Sequence, residues 1–560
     1  MHNCNCKSHG NVNILTRRNF LDRSFKVGLG VALSTLVDIP LVVKRALAEG
    51  NIGVVGPNGR VKKLLFIFLR GANDSLNSVV PMLDPSYMNL STGQSPIRPV
   101  IAIPPDGATN YTTLGAADFP VSGTGPTFGY ANAIRLGNGF AALHPSLKFL
   151  APVYNAGDLA LIHRVGYPKQ SRSHFDSQNY WETGSPNNNT SKDGILYRTM
   201  VESGLANAEP LTGVSIQSSL PLILRGSNAA MTNLSDPARY SLFGIPSGNT
   251  AAANKVKLAL ADANNLPTAE KNYRGLLNLQ YKNLNDTLAT FADLQDEFNE
   301  TNGISYVDGA VTDNDFAYRL FPTSNALNGG YTRGGGVVDA AKYVVDTGAY
   351  GFFRNLRAAS VVLNKTNAIV AGTEFGGFDT HSNQGGITGG HANLQRRIGW
   401  AIYALRQYFT QYADKASWDD LVVITLSEFG RTTVQNSDLG TDHAEAGVMF
   451  VAGGGVKGYG AGNANGVFGC SPSDTVPWIS GPADQTGGID GSMFGVSNRY
   501  LKRAYDYRSV LGKLIRDHPG ATQNQLNRII PGYTDTREKL QAGGLSTIDN
   551  TQIMGEPNII

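Results

Sequence analysis

Five short apolar runs, spread over most of the chain, set the strongest limit on how it can fold. Each run is continuous rather than alternating, which is typical of strands that are buried on both faces of a parallel sheet. The predicted strands are Leu64–Leu69, Leu159–His163, Ala368–Gly372, Leu421–Leu426 and Val448–Ala452.

Helical patterns lie between these runs. One covers Phe352–Leu363. The clearest covers His391–Ala413, where apolar residues recur at spacings of four, four, three and four, namely Leu394, Ile398, Ile402, Leu405 and Phe409. This spacing places them on one face of a helix. Alternating strands and helices predict an α/β sandwich.

Three regions interrupt the alternation. Pro85–Leu136 is rich in Gly, Pro, Thr and Asn and predicts a loop-dominated insertion, whereas the polar, helically spaced Ala251–Asn302 predicts a cap beside the sheet. Gly453–Gly495 is glycine-rich and predicts irregular structure. We therefore divide the chain into a signal segment, a first part of the core with the loop-rich insertion, a helical insertion, a second part of the core and a tail, at 1–48, 49–250, 251–336, 337–532 and 533–560.

The first segment has the features of an export signal. The pair Arg17-Arg18 precedes the moderately apolar Phe25–Val43, and the cleavage pattern Ala46-Leu47-Ala48 follows. This order indicates a twin-arginine signal, so we expect the translocase as a transient partner and a periplasmic or secreted bacterial protein. The alternative is a membrane anchor, but the apolar run falls short of about 20 residues and carries charge. We expect no stable membrane span.

Charge and cysteine content exclude several classes of protein. Of 47 basic and 44 acidic side chains, the first 48 residues hold seven and two, so the rest carries 40 and 42. A nearly neutral body argues against a nucleic-acid partner, because duplex binding needs a basic face. Without the signal only Cys470 remains, which excludes an intramolecular disulfide and a cysteine zinc site.

A glycine motif near the fifth run is misleading. Gly453-x-Gly455-x-x-Gly458 matches the dinucleotide-binding fingerprint, but Tyr-Gly-Ala-Gly-Asn follows it. A helix would have to begin there to bind the phosphates. The chain also has no G-x-S-x-G elbow, no H-E-x-x-H pair and no Walker loop, so it lacks the usual signatures of serine hydrolases, zincins and nucleotide hydrolases.

Residues able to hold a metal accompany all five runs. Ligands of open α/β sheets bind beyond the carboxyl ends of strands. In chain order, the candidates beside the runs are Asp74, His174, Asp379, His381, Glu428, Asp442 and His443. Carboxylates and imidazoles in this mixture suit zinc, manganese or a similar divalent ion. Ser173 fits a helix N-cap, where the positive helix end would favour its alkoxide beside a metal.

Each candidate also has a structural interpretation. Asp74 is suited to a turn or cap, and Ser173 to a cap without catalysis. Glu428 and Arg431 are spaced to pair with each other, and Asp442-His443 are suited to a buried hydrogen-bonded pair. We interpret His144, His163 and His518 as structural.

Several motifs resemble those of a bacterial twin-arginine-exported family, domain of unknown function number fifteen hundred and one. They occur in the expected order between about Lys62 and Gly532. The matching motifs are Arg70-Gly-Ala-Asn-Asp-Ser-Leu-Asn77, Ser171-Arg-Ser-His-Phe-Asp176, Trp181-Glu-Thr-Gly184, Phe378-Asp-Thr-His-Ser-Asn-Gln384, Ser427-Glu-Phe-Gly-Arg-Thr432, Asp442-His443 and Gly453-Gly-Gly-Val-Lys-Gly458.

The resemblance implies a relationship to the alkaline phosphatase and sulfatase superfamily. It therefore implies a three-layer sandwich with a mostly parallel central sheet, and metal-assisted hydrolysis of phosphate or sulfate esters. By motif order Asp74 corresponds to a metal ligand and Ser173 (or Ser171) to the nucleophile, with Asp379, His381 and His443 as further ligands. Phe429 stands where a histidine ligand is common, so a second metal site would require Asp442 or His174.

We therefore expect an exported metal-dependent hydrolase of small-molecule or polymeric esters, with one or two zinc, manganese or calcium ions. The expected catalytic residues are Ser173, His174 and Arg431. The expected metal ligands are Asp74, Asp379, His381, Glu428, Asp442 and His443. Two alternatives remain open: a non-catalytic periplasmic binding or assembly protein on the same fold, and transfer of a phospho-group to an alcohol.

Overall fold

The computed structural model describes the chain in several stretches. They are residues 59–84, 87, 97–104, 109–110, 132–202, 211–227, 231–236, 251–252, 254–256, 258–259, 286–298, 306–313, 316–323, 331–333, 344–460, 465–471, 493, 500–533, 544–545, 552–553 and 555–560. The predicted export signal lies outside them. Within these stretches, no helix combines the length and apolar character needed to cross a bilayer.

A nine-stranded sheet forms the centre of the molecule. Its strands are β1 (Lys63–Leu69), β2 (Leu159–Gly166), β3 (Gly213–Ile216), β4 (Thr232–Leu234), β5 (Val370–Phe375), β6 (Leu421–Leu426), β7 (Gly447–Ala452), β8 (Val467–Phe468) and β9 (Tyr505–Asp506). Their order across the sheet is β8-β2-β7-β6-β1-β5-β3-β4, with β9 also paired to β2. Only β7 is antiparallel to its neighbours, β2 and β6.

The five apolar runs are confirmed as strands β1, β2, β5, β6 and β7. The direction of β7 matters for function. Because it runs against β2 and β6, the residues just before β7 lie at the same edge of the sheet as the residues just after β1, β2, β5 and β6. Side chains from both kinds of position can therefore meet.

Helices cover both faces of the sheet. They are α1 (Leu150–Asn155), α2 (His174–Thr183), α3 (Ile195–Glu202), α4 (Gln295–Phe298), α5 (Tyr350–Lys365), α6 (Gly390–Gln411), α7 (Tyr507–Asp517) and α8 (Gln523–Ile529). Helices α5 and α6 confirm the two patterns noted in the sequence.

Strand β1 shows how the two cores arise. Successive side chains of a strand point to opposite faces. Leu65, Ile67 and Leu69 accordingly pack in one core with residues of α1, α4, α5 and α6. Leu64, Phe66 and Phe68 pack in the other with residues of α2, α3, α7 and α8. The protein therefore belongs to the α/β class, with helices on both sides of a mostly parallel sheet.

The predicted helical insertion is more mixed than expected. Helix α4 lies within it, but so does a three-stranded antiparallel sheet formed by Val307–Asp313, Phe316–Arg319 and Tyr331–Arg333. Tyr306, just before the first of these strands, packs edge-on against Tyr408 of α6 at 4.8 Å between ring centroids. Aromatic packing and hydrogen bonds to α6, such as Trp400 Nε1 to Leu320 O at 3.1 Å, join this part of the insertion to the core.

The end of the chain is part of the folded body. Ile559 is buried, and its carbonyl accepts a hydrogen bond from Lys457 N at 2.8 Å. Glu556 forms an ion pair with Arg516 of α7 at 2.7 Å. Residues 555–560 are thus bound to the second core.

Candidate metal centre

His174 enters the site as the first residue of α2. Ser173 caps that helix, because its Oγ accepts a hydrogen bond from Asp176 N at 3.4 Å. The Nδ1 atom of His174 lies 2.8 Å from Glu428 Oε1. An ionised carboxylate only accepts hydrogen bonds, so Nδ1 carries the ring proton. In the neutral ring the Nε2 atom then carries no proton, and it lies 3.1 Å from Nε2 of His443.

His443 is held by a two-residue ladder. Gly430–Arg431 and His443–Ala444 pair antiparallel, with Arg431 opposite His443. The Nδ1 atom of His443 donates to Arg172 O at 2.8 Å, because a carbonyl can only accept. In the neutral ring its Nε2 atom therefore carries no proton either.

Asp379 and His381 come from the loop after β5. The Nδ1 atom of His381 donates to Asp442 Oδ1 at 3.2 Å, so in the neutral ring its Nε2 carries no proton. That atom lies 2.9 Å from His443 Nε2 and 3.0 Å from Asp379 Oδ1. Gly71 permits the close approach of this loop to the end of β1, since a Cβ at Gly71 would lie 2.4 Å from Asp379 N.

The resulting arrangement fits a divalent cation. Asp379 Oδ1 is 3.1 Å from His443 Nε2, and Asp379 Oδ2 is 3.4 Å from His174 Nε2. The donor atoms of His174, Asp379 and His443 all lie within 4.8 Å of one another. Lone pairs directed at each other at these distances repel unless a positive charge lies between them. A tetrahedral ion with bonds of about 2.0–2.1 Å places its donors about 3.3 Å apart.

Glu428 and Asp442 bond to Nδ1 atoms of the histidines and orient the rings. They do not lie among the donor atoms that face one another. The Oε1 atom of Glu428, a nearly fully buried side chain, accepts from Gly71 N at 2.7 Å as well as from His174. Asp442 bonds to Nδ1 of His381 and accepts from Asn436 Nδ2 at 3.1 Å. Outer carboxylates of this kind fix the tautomer and the ring direction of metal-binding histidines. Both residues were expected to be metal ligands, but in the structure each bonds to a histidine. Glu428 also does not pair with Arg431.

Asp74, expected to be a metal ligand, is not part of this cluster. It is completely buried, and Arg98 binds both of its carboxylate oxygens, at 2.6 and 3.1 Å. Gln384 Nε2 adds a hydrogen bond at 2.6 Å. Burial acts to raise the pKa of Asp74, but the Arg98 guanidinium outweighs it and holds the pKa below its ordinary value. The carboxylate is therefore neutralised by the protein itself.

Arg431, expected to be catalytic, is also placed differently. Its side chain has no exposed surface, so it cannot touch a substrate. It donates to main-chain carbonyls and to Asp379 Oδ1. Ser173, in contrast, is exposed beside His174, where a nucleophile would have access to solvent and substrate.

Electrostatics differ among the cluster residues. The hydrogen bond to Glu428 raises the pKa of His174, whereas desolvation lowers the pKa of His443. Burial acts to raise the pKa of Asp379, but its bond to Arg431 outweighs this and lowers the pKa. Asp379 is therefore ionised at neutral pH, as a metal ligand must be.

Three residues have roles in the site that the sequence does not assign. Phe429 packs against the rings of His174 and His443, at 4.8 and 4.7 Å between centroids, and forms an apolar wall where a histidine ligand was considered. Arg98 comes from the loop-rich insertion, and Arg172 contributes only its carbonyl. No local pattern signals either role. His144, His163 and His518 are fully or nearly fully buried, in agreement with their structural interpretation.

A family model described as protein of unknown function (DUF1501) matches residues 61–469. The chain belongs to this DUF1501 family. The match includes every residue of the cluster, from His174 to His443, and the ladder that positions His443. No curated protein and no solved structure shows significant similarity to the chain.

Proposed function

We propose that this DUF1501 protein is an exported, metal-dependent hydrolase of phosphate or sulfate esters. The observation that carries the proposal is the convergence of three imidazole Nε2 atoms on the Asp379 carboxylate, with every Nδ1 already bonded elsewhere. In their neutral forms the three rings offer their Nε2 lone pairs beside one carboxylate, which is the usual preparation of histidines for a metal.

The donor set favours zinc or manganese over calcium. Imidazole nitrogen suits zinc and other transition metals, whereas calcium takes six to eight oxygen ligands. The ligands would be His174, Asp379 and His443, whose donor atoms lie within 4.8 Å of one another. His381, with Nε2 at 2.9 Å from His443 Nε2, would be a fourth. Because Asp74 is bound by Arg98, we propose one ion rather than two. When bound, the ion would act as a Lewis acid on the ester oxygen.

Ser173 is the proposed nucleophile. Its exposed hydroxyl lies at the N-terminus of α2, next to His174, and the positive helix end stabilises developing negative charge on oxygen. Its Oγ would form a bond to phosphorus or sulfur while the bond to the ester oxygen breaks, and the alcohol would leave with the hydroxyl proton. Water would then cleave the Ser173 ester and release phosphate or sulfate.

The relationship to alkaline phosphatases and sulfatases is part of the proposal. A mostly parallel sheet with helices on both faces, and a polar cluster beyond its carboxyl edge, support it. Export by the twin-arginine route, proposed from Arg17-Arg18, would carry the protein folded, so that the metal is acquired in the cytoplasm before export to the periplasm or the medium.

A hydrolysis screen tests the proposal. Purified protein would be assayed with small phosphate and sulfate esters, beside Asp379→Ala and a control, Asp438→Asn, which changes an exposed carboxylate of the adjacent loop. We expect turnover that Asp379→Ala abolishes and Asp438→Asn preserves. Metal-loaded protein that hydrolyses none of these esters would favour the alternative of a non-catalytic binding protein.

A further inference from the structure

Arg431 makes an unusual set of contacts for a buried arginine. Its Nε donates to Ala72 O at 3.0 Å, its Nη1 to Thr441 O at 3.0 Å and its Nη2 to Phe378 O at 3.0 Å. Nη2 also donates to Gly71 O and to Asp379 Oδ1. The guanidinium therefore bonds to four carbonyls and one carboxylate, and the only charged group among these acceptors is Asp379.

These acceptors belong to three separate loops. Gly71 and Ala72 follow β1, Phe378 and Asp379 follow β5, and Thr441 precedes β7. Each loop supplies part of the cluster. The first provides the Gly71 N–H that bonds Glu428, the second provides Asp379 and His381, and the third leads into Asp442 and His443. The three loops are not adjacent in sequence, but one side chain joins them.

The backbone of Arg431 adds a fourth connection. Arg431 lies directly opposite His443 in the ladder, and Thr432 N donates to Asp442 O at 2.9 Å. The same residue thus sets the main-chain position of His443 and the side-chain position of Asp379.

The geometry points to Arg431 as a positioning residue that assembles the metal centre from its three loops. This inference rests on the proposed function, because it takes the cluster to be a metal site. With Oδ1 held by Arg431, the carboxylate of Asp379 keeps Oδ2 turned toward His174. A planar guanidinium with five donors can reach three loops at once, whereas the compact lysine ammonium cannot.

The test compares Zn²⁺ affinity, measured by competition with a chelating dye, in four proteins. They are the wild type, Arg431→Lys, Arg431→Met and the control Arg508→Met. Arg508 is a buried arginine bound to Asp506 at 2.8 Å, within α7 and its cap, and contacts no cluster residue. Far-UV circular dichroism of each metal-free protein reports folding separately.

We expect Arg431→Met to weaken Zn²⁺ binding by about 10- to 100-fold, the usual effect of losing a residue that orients ligands. Arg431→Lys is expected to weaken it by a smaller factor, and Arg508→Met to leave it unchanged. Folded Arg431 variants with wild-type affinity would overturn the inference. Loss of folding in both Arg431 variants would also overturn it, because the residue would then serve the fold rather than the centre. A wild type that binds no Zn²⁺ would instead overturn the proposed function.

Discussion

His174 and His443 face each other through Nε2 atoms that are 3.1 Å apart. In its neutral form, neither ring can turn a proton toward the other without giving up its Nδ1 hydrogen bond. Two neutral imidazoles do not attract each other in this geometry, because both facing Nε2 atoms are hydrogen-bond acceptors. With both rings neutral, the pair offers two Nε2 lone pairs to a cation at this edge of the sheet.

Glu428 should matter for metal binding although it is not a ligand. In Glu428→Gln the charge that holds the His174 Nδ1 proton is lost, so we expect Zn²⁺ affinity to fall by about 10-fold or more. Competition titration measures this. Glu374→Gln is the matched control, because Glu374 lies at the end of β5 and bonds Arg70 at 3.0 Å instead of a histidine. Equal affinities in the two variants would contradict the orienting role.

The two roles of Ser173 can be separated by substitution. Ser173→Ala removes both the hydroxyl and the cap of α2, which costs about 1 kcal/mol of stability. Ser173→Asn removes the hydroxyl but restores a good cap. We expect both variants to bind metal and to lose ester turnover, as assayed with the best substrate of the screen. Retained turnover in Ser173→Asn would show that Ser173 serves only as a helix cap.

Arg98 and Asp74 form a buried ion pair whose disruption should be severe. Arg98→Met leaves the Asp74 carboxylate buried without its charge partner, which typically costs about 3–5 kcal/mol. Denaturant unfolding of the metal-free protein measures this loss. We expect the double variant Arg98→Met with Asp74→Asn to recover part of it. A double variant less stable than Arg98→Met would show that the pair is not the cause.

The buried histidines predict a loss of stability in mild acid. Desolvation lowers the pKa of His144 and of His518 to about 4, from 6.5. The unfolded chain therefore binds more protons between these values. The contribution of these two histidines to stability is fully present above pH 6.5 and is lost as the pH drops toward 4. His518 lies away from the cluster, bonded to Lys63 O at 2.8 Å. Urea unfolding of metal-free His518→Gln should show a shallower decline than the wild type, and an identical decline would contradict the assignment.

The fold and most of the site could be predicted because they follow from local patterns. Strands buried on both faces have to be continuous apolar runs, and ligand-type residues beside those runs collect at one edge. Residues before β7 lie at that edge only because β7 is antiparallel. His443 could therefore be predicted only by considering the residues at both ends of each run.

Other features depend on contacts that no local pattern encodes. Asp74 and Asp379 have the same chemistry in sequence, but Arg98 binds the first and not the second. Whether Glu428 and Asp442 bind a metal or a histidine depends on which ring nitrogen faces them. Arg431 is close to Glu428 in sequence but reaches Asp379 instead, since the ladder with His443 points it inward.

The central claim is that His174, Asp379, His381 and His443 hold one metal ion. Elemental analysis of protein purified after native export, without chelator, tests it most directly. The account predicts about one equivalent of zinc or manganese per chain, lost in Asp379→Ala. Correctly folded wild-type protein that contains no metal and takes none up would contradict it.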